Sequence, residues 1–357
     1  MPSMFTTAFS NSSVPPVLYH NLKVNSSEQP GPWFNGSSMP SISSAGLGMS
    51  CFTMIFGTIS NLSALGILAN SRIRLHPRSK APFLLLTVAL LMADLGSHVI
   101  PGSFALYLHM QTNVPGRTFC QIFGASMVFF GLCPLFIGCA MAVERCVAIT
   151  QPFFHAAMIT MAHVMRVVLL LSFVAFLLAV LPFFAVGTYT LQFPGTWCFL
   201  PINESHSIAD TNLILAFSCL GLTALSLSLF CNIFSGLALL LARIRPHPRK
   251  KKSAARSSQR ASSALSSSLF CSLDMEMMVQ LAVITVVSSV CWGPFLIHIL
   301  VMQFNQMPST NEEDEFTLLA LRMAAWNQTL DPWVYILLRR AVLFRMCVFA
   351  AHRKTRW

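Results

Sequence analysis

The chain has 357 residues, of which 55% are hydrophobic and only 10% charged. Soluble domains carry about 25% charged residues, so a soluble fold is excluded and a polytopic membrane protein is expected. The net charge of +11 invites a nucleic-acid reading, but no basic stretch is interleaved with stacking aromatics, so nucleic acid is excluded as a partner.

Residues 1–45 are rich in Ser, Pro and Asn and show no apolar h-region at the start, so no cleavable signal peptide is expected. Asn11, Asn25 and Asn35 each open an N-x-[ST] sequon, which fits an extracellular, glycosylated, disordered tail; Asn203 in a later loop is a fourth candidate. Asn61 and Asn327 match the same pattern inside apolar runs and are not expected to be modified.

Seven apolar runs follow, at residues 46–71, 81–108, 118–150, 163–187, 210–243, 274–304 and 315–338. Each exceeds the ~20 residues that a spanning helix needs. The fold class expected is therefore an all-α membrane protein, a seven-transmembrane helix bundle over residues 46–338. Of the 23 Lys and Arg, only Lys23, Arg117 and Arg322 fall on the side of the sequons; the other 20 lie at the opposite face. That is the positive-inside pattern. It places the N-terminus outside and the C-terminus in the cytoplasm, in a plasma-membrane protein. The loop at residues 244–273 begins RIRPHPRKKK and continues as a Ser/Ala tract, read as a basic linker or a basic helix extension beside anionic lipid. After the seventh run, residues 339–357 place apolar and basic residues at helical spacing, which predicts an amphipathic helix on the inner surface of the bilayer.

Eleven cysteines do not make a secreted scaffold here, since most lie in apolar runs, where Cys133, Cys139, Cys219 and Cys291 read as small packing residues. Cys120 and Cys198 stand apart at the outer side, where an oxidising exterior allows them to bond and pin the fourth-to-fifth loop over the bundle. At the inner end of the third run stands Glu144-Arg145-Cys146, an arginine able to pair locally with Glu144 or to swing toward the bundle centre. In the sixth run Trp292 precedes Pro294, a proline that removes a backbone hydrogen bond and makes a hinge.

The seventh run contains LRMAAWNQTLDPWVY at residues 321–335. Arg322 and Asp331 there lie ~13.5 Å apart along a helix axis. Ionisable groups at such depth are costly and mark function. Arg322 is a cation in an otherwise apolar upper pocket, and a guanidinium holds a carboxylate through two parallel hydrogen bonds. The pocket suits a fatty-acid-like anion; pairing of Arg322 with Glu315 is the alternative. The third run has no Asp or Glu before Glu144 to hold an amine, and the seventh has no Lys for a retinal Schiff base.

These motifs stand in one order along seven runs, and the chain resembles the rhodopsin-like G-protein-coupled receptors over residues 46–352. Asp331 in place of Asn before Pro332, and Cys146 in place of an aromatic, are typical of the prostanoid branch. GLCPL at 131–135, MAVERCVAIT at 141–150 and LQFPGTWCF at 191–199 also look like prostanoid receptors. GSHVIPG at 96–102 with MVFFGLCPL narrows the resemblance to the calcium-mobilising prostaglandin E receptors, with prostaglandin F receptors as the alternative.

The resemblance implies a prostaglandin, most closely prostaglandin E, as ligand and a heterotrimeric G protein, Gq, as partner, with no cofactor. It implies that Thr196, beside Trp197, helps Arg322 hold the ligand carboxylate. Its third contact, a tyrosine atop the second helix, aligns with His109, with Tyr107 two residues earlier. His98 faces the cyclopentane-ring oxygens, its alternative being a satisfied interhelical hydrogen bond, and Met127 and Trp292 line the pocket. Asn61, Asp94 and Asp331 gather in a hydrated pocket that can hold sodium, or form a structural hydrogen-bond knot. Asp94, Glu144, Arg145, Trp292, Pro294, Asp331, Pro332 and Tyr335 make the activation switch. A small organic-anion transporter would instead show inverted repeats, and none is convincing. A membrane enzyme would need a set such as H-E-x-x-H, and none is present, so no enzyme is expected.

Overall fold

The computed structural model describes residues 44–72, 81–111, 115–203, 207–244, 257–305 and 310–354. The sequons at Asn11, Asn25 and Asn35, the first basic loop and the RIRPHPRKKK stretch lie outside the described residues. The elements are α1 (Ser44–Arg72), α2 (Ala81–Met110), α3 (Arg117–Thr150), α4 (Pro152–Met158), α5 (Met161–Val180), β1 (Thr190–Gln192), β2 (Trp197–Phe199), α6 (Ile208–Ile244), α7 (Ser257–Asn305) and α8 (Asn311–Lys354).

Six of these helices are long and apolar enough to cross a membrane by composition alone. The seventh, α8, carries Arg322, Asn327, Gln328 and Asp331, which dilute its hydropathy, so its place in the bundle rests on packing against α7, α1 and α2. α3 is the central column: α2, α5, α6, α7 and the β1–β2 hairpin all pack on it. The core runs along that column through Phe123, Leu132, Ile137 and Met141, and continues into Phe217, Phe295 and Leu296.

Local chemistry sets the helix ends. Gln151 precedes Pro152 and leaves the helical region (φ −134°, ψ 64°), which stops α3. Pro152 then opens the short helix α4, which hydropathy alone did not predict. Thr310 and Glu313 form a capping box at the start of α8: the Glu313 carboxylate accepts from the Thr310 amide at 2.8 Å and the Thr310 hydroxyl from the Glu313 amide at 3.4 Å. Ser207 caps α6 differently: its hydroxyl accepts from the Asp210 amide at 3.2 Å and donates to the Asp210 carboxylate at 2.7 Å, whose other oxygen accepts from the Thr188 amide at 2.7 Å.

Of the two readings of the Ser/Ala tract the helix extension holds, since the helical backbone of α7 begins at Ser257. The backbone is helical through residues 339–354 as well. One expectation changes. Cys219 is exposed at the rim of α6 rather than packed in the core.

Candidate functional site

The outer loop delivers its residues through a hairpin. β1 and β2 pair antiparallel with Leu191 opposite Cys198 and Gln192 opposite Trp197. The turn between them needs Gly195, whose φ of 91° is left-handed, and the Gly195 amide closes onto the Gln192 carbonyl at 2.7 Å. Cys198 is bonded to Cys120 at the top of α3, with Cα atoms 5.4 Å apart. That bond and the Trp197 indole, which donates to the Phe193 carbonyl at 2.8 Å, fix Thr196 and Trp197 over the bundle.

Beneath the hairpin lies a cavity of about 200 Å³ lined by Thr196, Trp197, His98, His109, Met127, Trp292 and Arg322, and extended toward α1 by Met49, Ser50 and Thr53. The structure thus gathers seven of the eight sequence-expected ligand residues around one space. The exception is Tyr107, which is outside the lining. Its ring stacks on Phe119 at 5.0 Å and its hydroxyl accepts from the exposed Gln111 amide at 2.6 Å. Two residues on a helix turn the side chain by about 200°, so His109 faces the cavity and Tyr107 does not. Arg322 makes no ion pair with Glu315: among the described residues the ion pairs are Arg145–Glu144 and His155–Glu144. Phe123, Phe130, Leu318 and Leu321 supply apolar wall to the cavity, while Arg322 is exposed rather than buried and also borders an outer cleft lined by Glu312 and Glu315.

The cavity floor holds a residue that sequence reading missed. Pro134 has no amide to give to the carbonyl of Phe130, one turn earlier in α3. The Gln328 side chain donates to that carbonyl at 3.1 Å, while its own oxygen accepts from the Ser97 hydroxyl at 2.7 Å. Pro332 in turn releases the Gln328 carbonyl, which accepts from Asn61 at 3.2 Å. The signal was present as two prolines whose i−4 partners are Phe130 and Gln328. His98 is buried beside this knot, with Nε2 3.4 Å from the Thr329 hydroxyl and its ring flush against Gly57, where a Cβ would have no room. It is therefore an interhelical hydrogen-bond partner and a cavity-lining residue at once. Trp292 lies against Gly131, and its indole is T-stacked on Phe295 at 6.3 Å.

Below the floor, Asp94 and Asp331 are buried, at 0% and 2% exposure. Neither Asp94 oxygen has a protein donor, nor do the side-chain oxygens of Asn61 and Asn327 or one oxygen of Asp331. Asn327 donates to the other Asp331 oxygen at 3.3 Å. Buried carboxylates without donors are costly, so this oxygen-rich pocket fits a hard monovalent cation with water. No three His, Cys, Asp or Glu gather among the described residues as a transition-metal site requires.

At the inner end, Arg145 makes a two-pronged bond to Glu144, at 2.5 Å on each arm, and lies 4.9 Å over the Phe83 ring. His155 of α4 reaches the same carboxylate at 2.7 Å, a contact the motif did not announce. Tyr335 is buried with Leu68, Leu91 and Ile336.

At the outer rim, the Asn203 amide nitrogen, the atom a glycan would take, donates to Asp314 at 2.5 Å.

The match to the 7 transmembrane receptor (rhodopsin family) model spans residues 67–335. Squid rhodopsin shares the fold at a TM-score of 0.67, covering 89% of this chain and 90% of that one at 16% identity. The chain belongs to the rhodopsin family of seven-transmembrane receptors, a family of multi-pass membrane receptors rather than enzymes.

Curated relatives include prostaglandin E2 and prostaglandin F2-alpha receptors. It is 41% identical to the mouse prostaglandin E2 receptor EP1 subtype over 82% of this chain and 79% of the relative. Against the human EP1 subtype the identity is 41%, over 87% and 84%. Against the mouse prostaglandin F2-alpha receptor it is 40%, over 82% and 77%.

Proposed function

We propose that the protein is a plasma-membrane receptor for a prostaglandin, preferentially of the E class, which passes ligand binding to a heterotrimeric G protein of the Gq type and so to calcium release. The N-terminus lies outside and the C-terminus in the cytoplasm. The observation that carries this reading is Arg322, a cation without an ionic partner among the described residues, which is exposed at the mouth of the apolar cavity beneath the Cys120–Cys198 hairpin.

Arg322 takes the ligand carboxylate, with Thr196 and His109 as the neighbouring donors. The ring oxygens lie toward His98, and Met127, Trp197 and Trp292 contact the hydrocarbon. A cavity of about 200 Å³ is below the ~300–1,000 Å³ of typical ligand sites, so side chains draw back as ligand enters. Trp292 and Pro294 pass that displacement inward. Asp94, Asp331, Pro332 and Tyr335 respond next, and Glu144 releases Arg145 to the G protein. Oxygens of Asn61, Asp94, Asn327 and Asp331 hold a sodium ion in the resting state, where it offsets the two buried carboxylates.

A prostaglandin F receptor is the second reading, because the identity to EP1 and to F2-alpha relatives is nearly equal. Competition binding with a panel of tritiated prostanoids on membranes from transfected cells tests both. E ligands should rank first; an F-first ranking selects the second reading, and no saturable prostanoid binding overturns both.

A further inference from the structure

We propose that the inner half of the bundle carries a separate lipid site: a groove between α3, α5 and α6 that takes one acyl chain of an anionic inner-leaflet phospholipid, with the phosphate at Arg166 and His163. "Inner" rests on the orientation given above; the lipid contacts themselves do not depend on prostaglandin binding.

α5 and α6 both pack on α3, yet α5 and α6 make no substantial packing contact with each other. The gap between them is floored by α3. Small side chains give it depth: Cys139 and Ala140 on α3, Thr223 and Ala224 on α6. The space is about 450 Å³, more than twice the cavity under the hairpin. Its lip, Val143, Val167 and Leu227, is exposed where the bilayer stands. A wall left without neighbours forfeits its dispersion contacts, so hydrocarbon from the membrane fills such a gap.

The inner mouth chooses the kind of lipid. Glu144 borders it, but its oxygens are taken by Arg145 and His155, so it does not repel an anion as a free carboxylate would. On α5, Arg166 bends back one turn, its Nε donating to the Ala162 carbonyl at 3.3 Å, which carries the guanidinium toward headgroup depth. His163, three residues before it, places Nδ1 2.8 Å from the Thr160 hydroxyl. When that hydroxyl donates, the remaining Nε2–H is a donor. His163 lines the groove, and Arg166 stands one turn along the same helix, exposed and outside the lining; a guanidinium one turn from an N–H donor matches a phosphate headgroup at the groove's edge, and the cytoplasmic leaflet supplies anionic headgroups. A sterol would bring only a hydroxyl and leave Arg166 unmatched.

The full chain, reconstituted in nanodiscs, can be irradiated with phospholipids bearing a photoactivatable acyl chain, and the labelled peptides mapped by mass spectrometry. Phosphatidylserine or phosphatidylinositol probes should label α3, α5 and α6 groove peptides several-fold above a phosphatidylcholine probe. Arg166→Gln should reduce anionic labelling to the phosphatidylcholine level, and Ala224→Trp, which fills the groove, should abolish it. Val167→Phe at the lip serves if Ala224→Trp fails to fold, and unchanged thermal midpoints certify each variant. Equal labelling by phosphatidylcholine, or anionic labelling that survives Arg166→Gln or the filled groove, overturns the proposal.

Discussion

The side chain of Gln328 donates to the carbonyl of Phe130 at 3.1 Å, filling the place of the amide that Pro134 lacks. This joins α8 to α3 directly under the cavity, and Ser97 extends the link to α2. Gln328→Leu should keep the volume but leave that carbonyl buried and unpaired. An unsatisfied buried group costs about 1–3 kcal/mol, so the purified variant should melt several degrees below the parent in a thermal-shift assay. An unchanged midpoint would mean that the bond contributes nothing.

The paired carboxylates Asp94 and Asp331 predict sodium sensitivity. Sodium at tenfold excess over its Kd would stabilise the resting receptor by about 1.4 kcal/mol. Exchanging sodium chloride for choline chloride should lower the parent's thermal midpoint and raise its agonist affinity. Asp94→Asn should abolish both responses. Equal responses in parent and variant would place the ion elsewhere.

How much of this was open to reading from the chain depended on whether the signal was local. The spans follow from hydropathy along each helix, and the Cys120 and Cys198 pair from their place on the oxidising outer side; Arg322 was legible as a cation at the outer end, but its exposure was not. The Gln328 knot does not follow so, because it needs two prolines on different helices to be brought together. Nor does His155, which reaches Glu144 only because Pro152 starts a helix that turns it back. Tyr107 was named from an alignment position, and one step of helix rotation removed it. The seventh run, 315–338, was legible as apolar, although Arg322, Asn327, Gln328 and Asp331 keep α8 out of the six helices apolar enough to span by composition alone.

His98 predicts ring discrimination. Nε2 is near Thr329, and the ring also borders the cavity. A keto oxygen only accepts, whereas a ring hydroxyl also donates, and mismatched buried groups discriminate strongly. His98→Ala should change the ratio of E to F affinity by about tenfold, roughly 1.4 kcal/mol, in competition binding. Equal weakening of both ligands would make the residue structural only.

The sequon at Asn203 predicts a glycan there. Asn203→Gln should raise the electrophoretic mobility of the untreated protein but not of the glycosidase-treated protein; equal mobility of parent and variant before treatment would contradict it. Asp314, above the seventh apolar run, is held above the usual carboxylate range by burial, against the pull of the Asn203 amide. The folded state therefore keeps this proton to higher pH than the unfolded chain, and stability at the rim should rise as pH falls from neutral through the native value. Asp314→Asn should flatten that dependence in thermal melts taken across the range.

The central claim is that Arg322 holds a carboxylate. The direct measurement is binding of a prostaglandin acid and its methyl ester to the parent and to Arg322→Ala, with surface expression monitored by an epitope tag. Arg322 is exposed in the free receptor, so the full effect requires that bound ligand cover it; truncating one partner of a charged pair so buried costs about 2–5 kcal/mol. The parent should prefer the acid by roughly thirtyfold or more, on the same scale. Arg322→Ala should reach the surface, lose most affinity for the acid, and bind acid and ester nearly alike. An acid preference that survives Arg322→Ala, or a parent that binds both forms equally, would contradict the account.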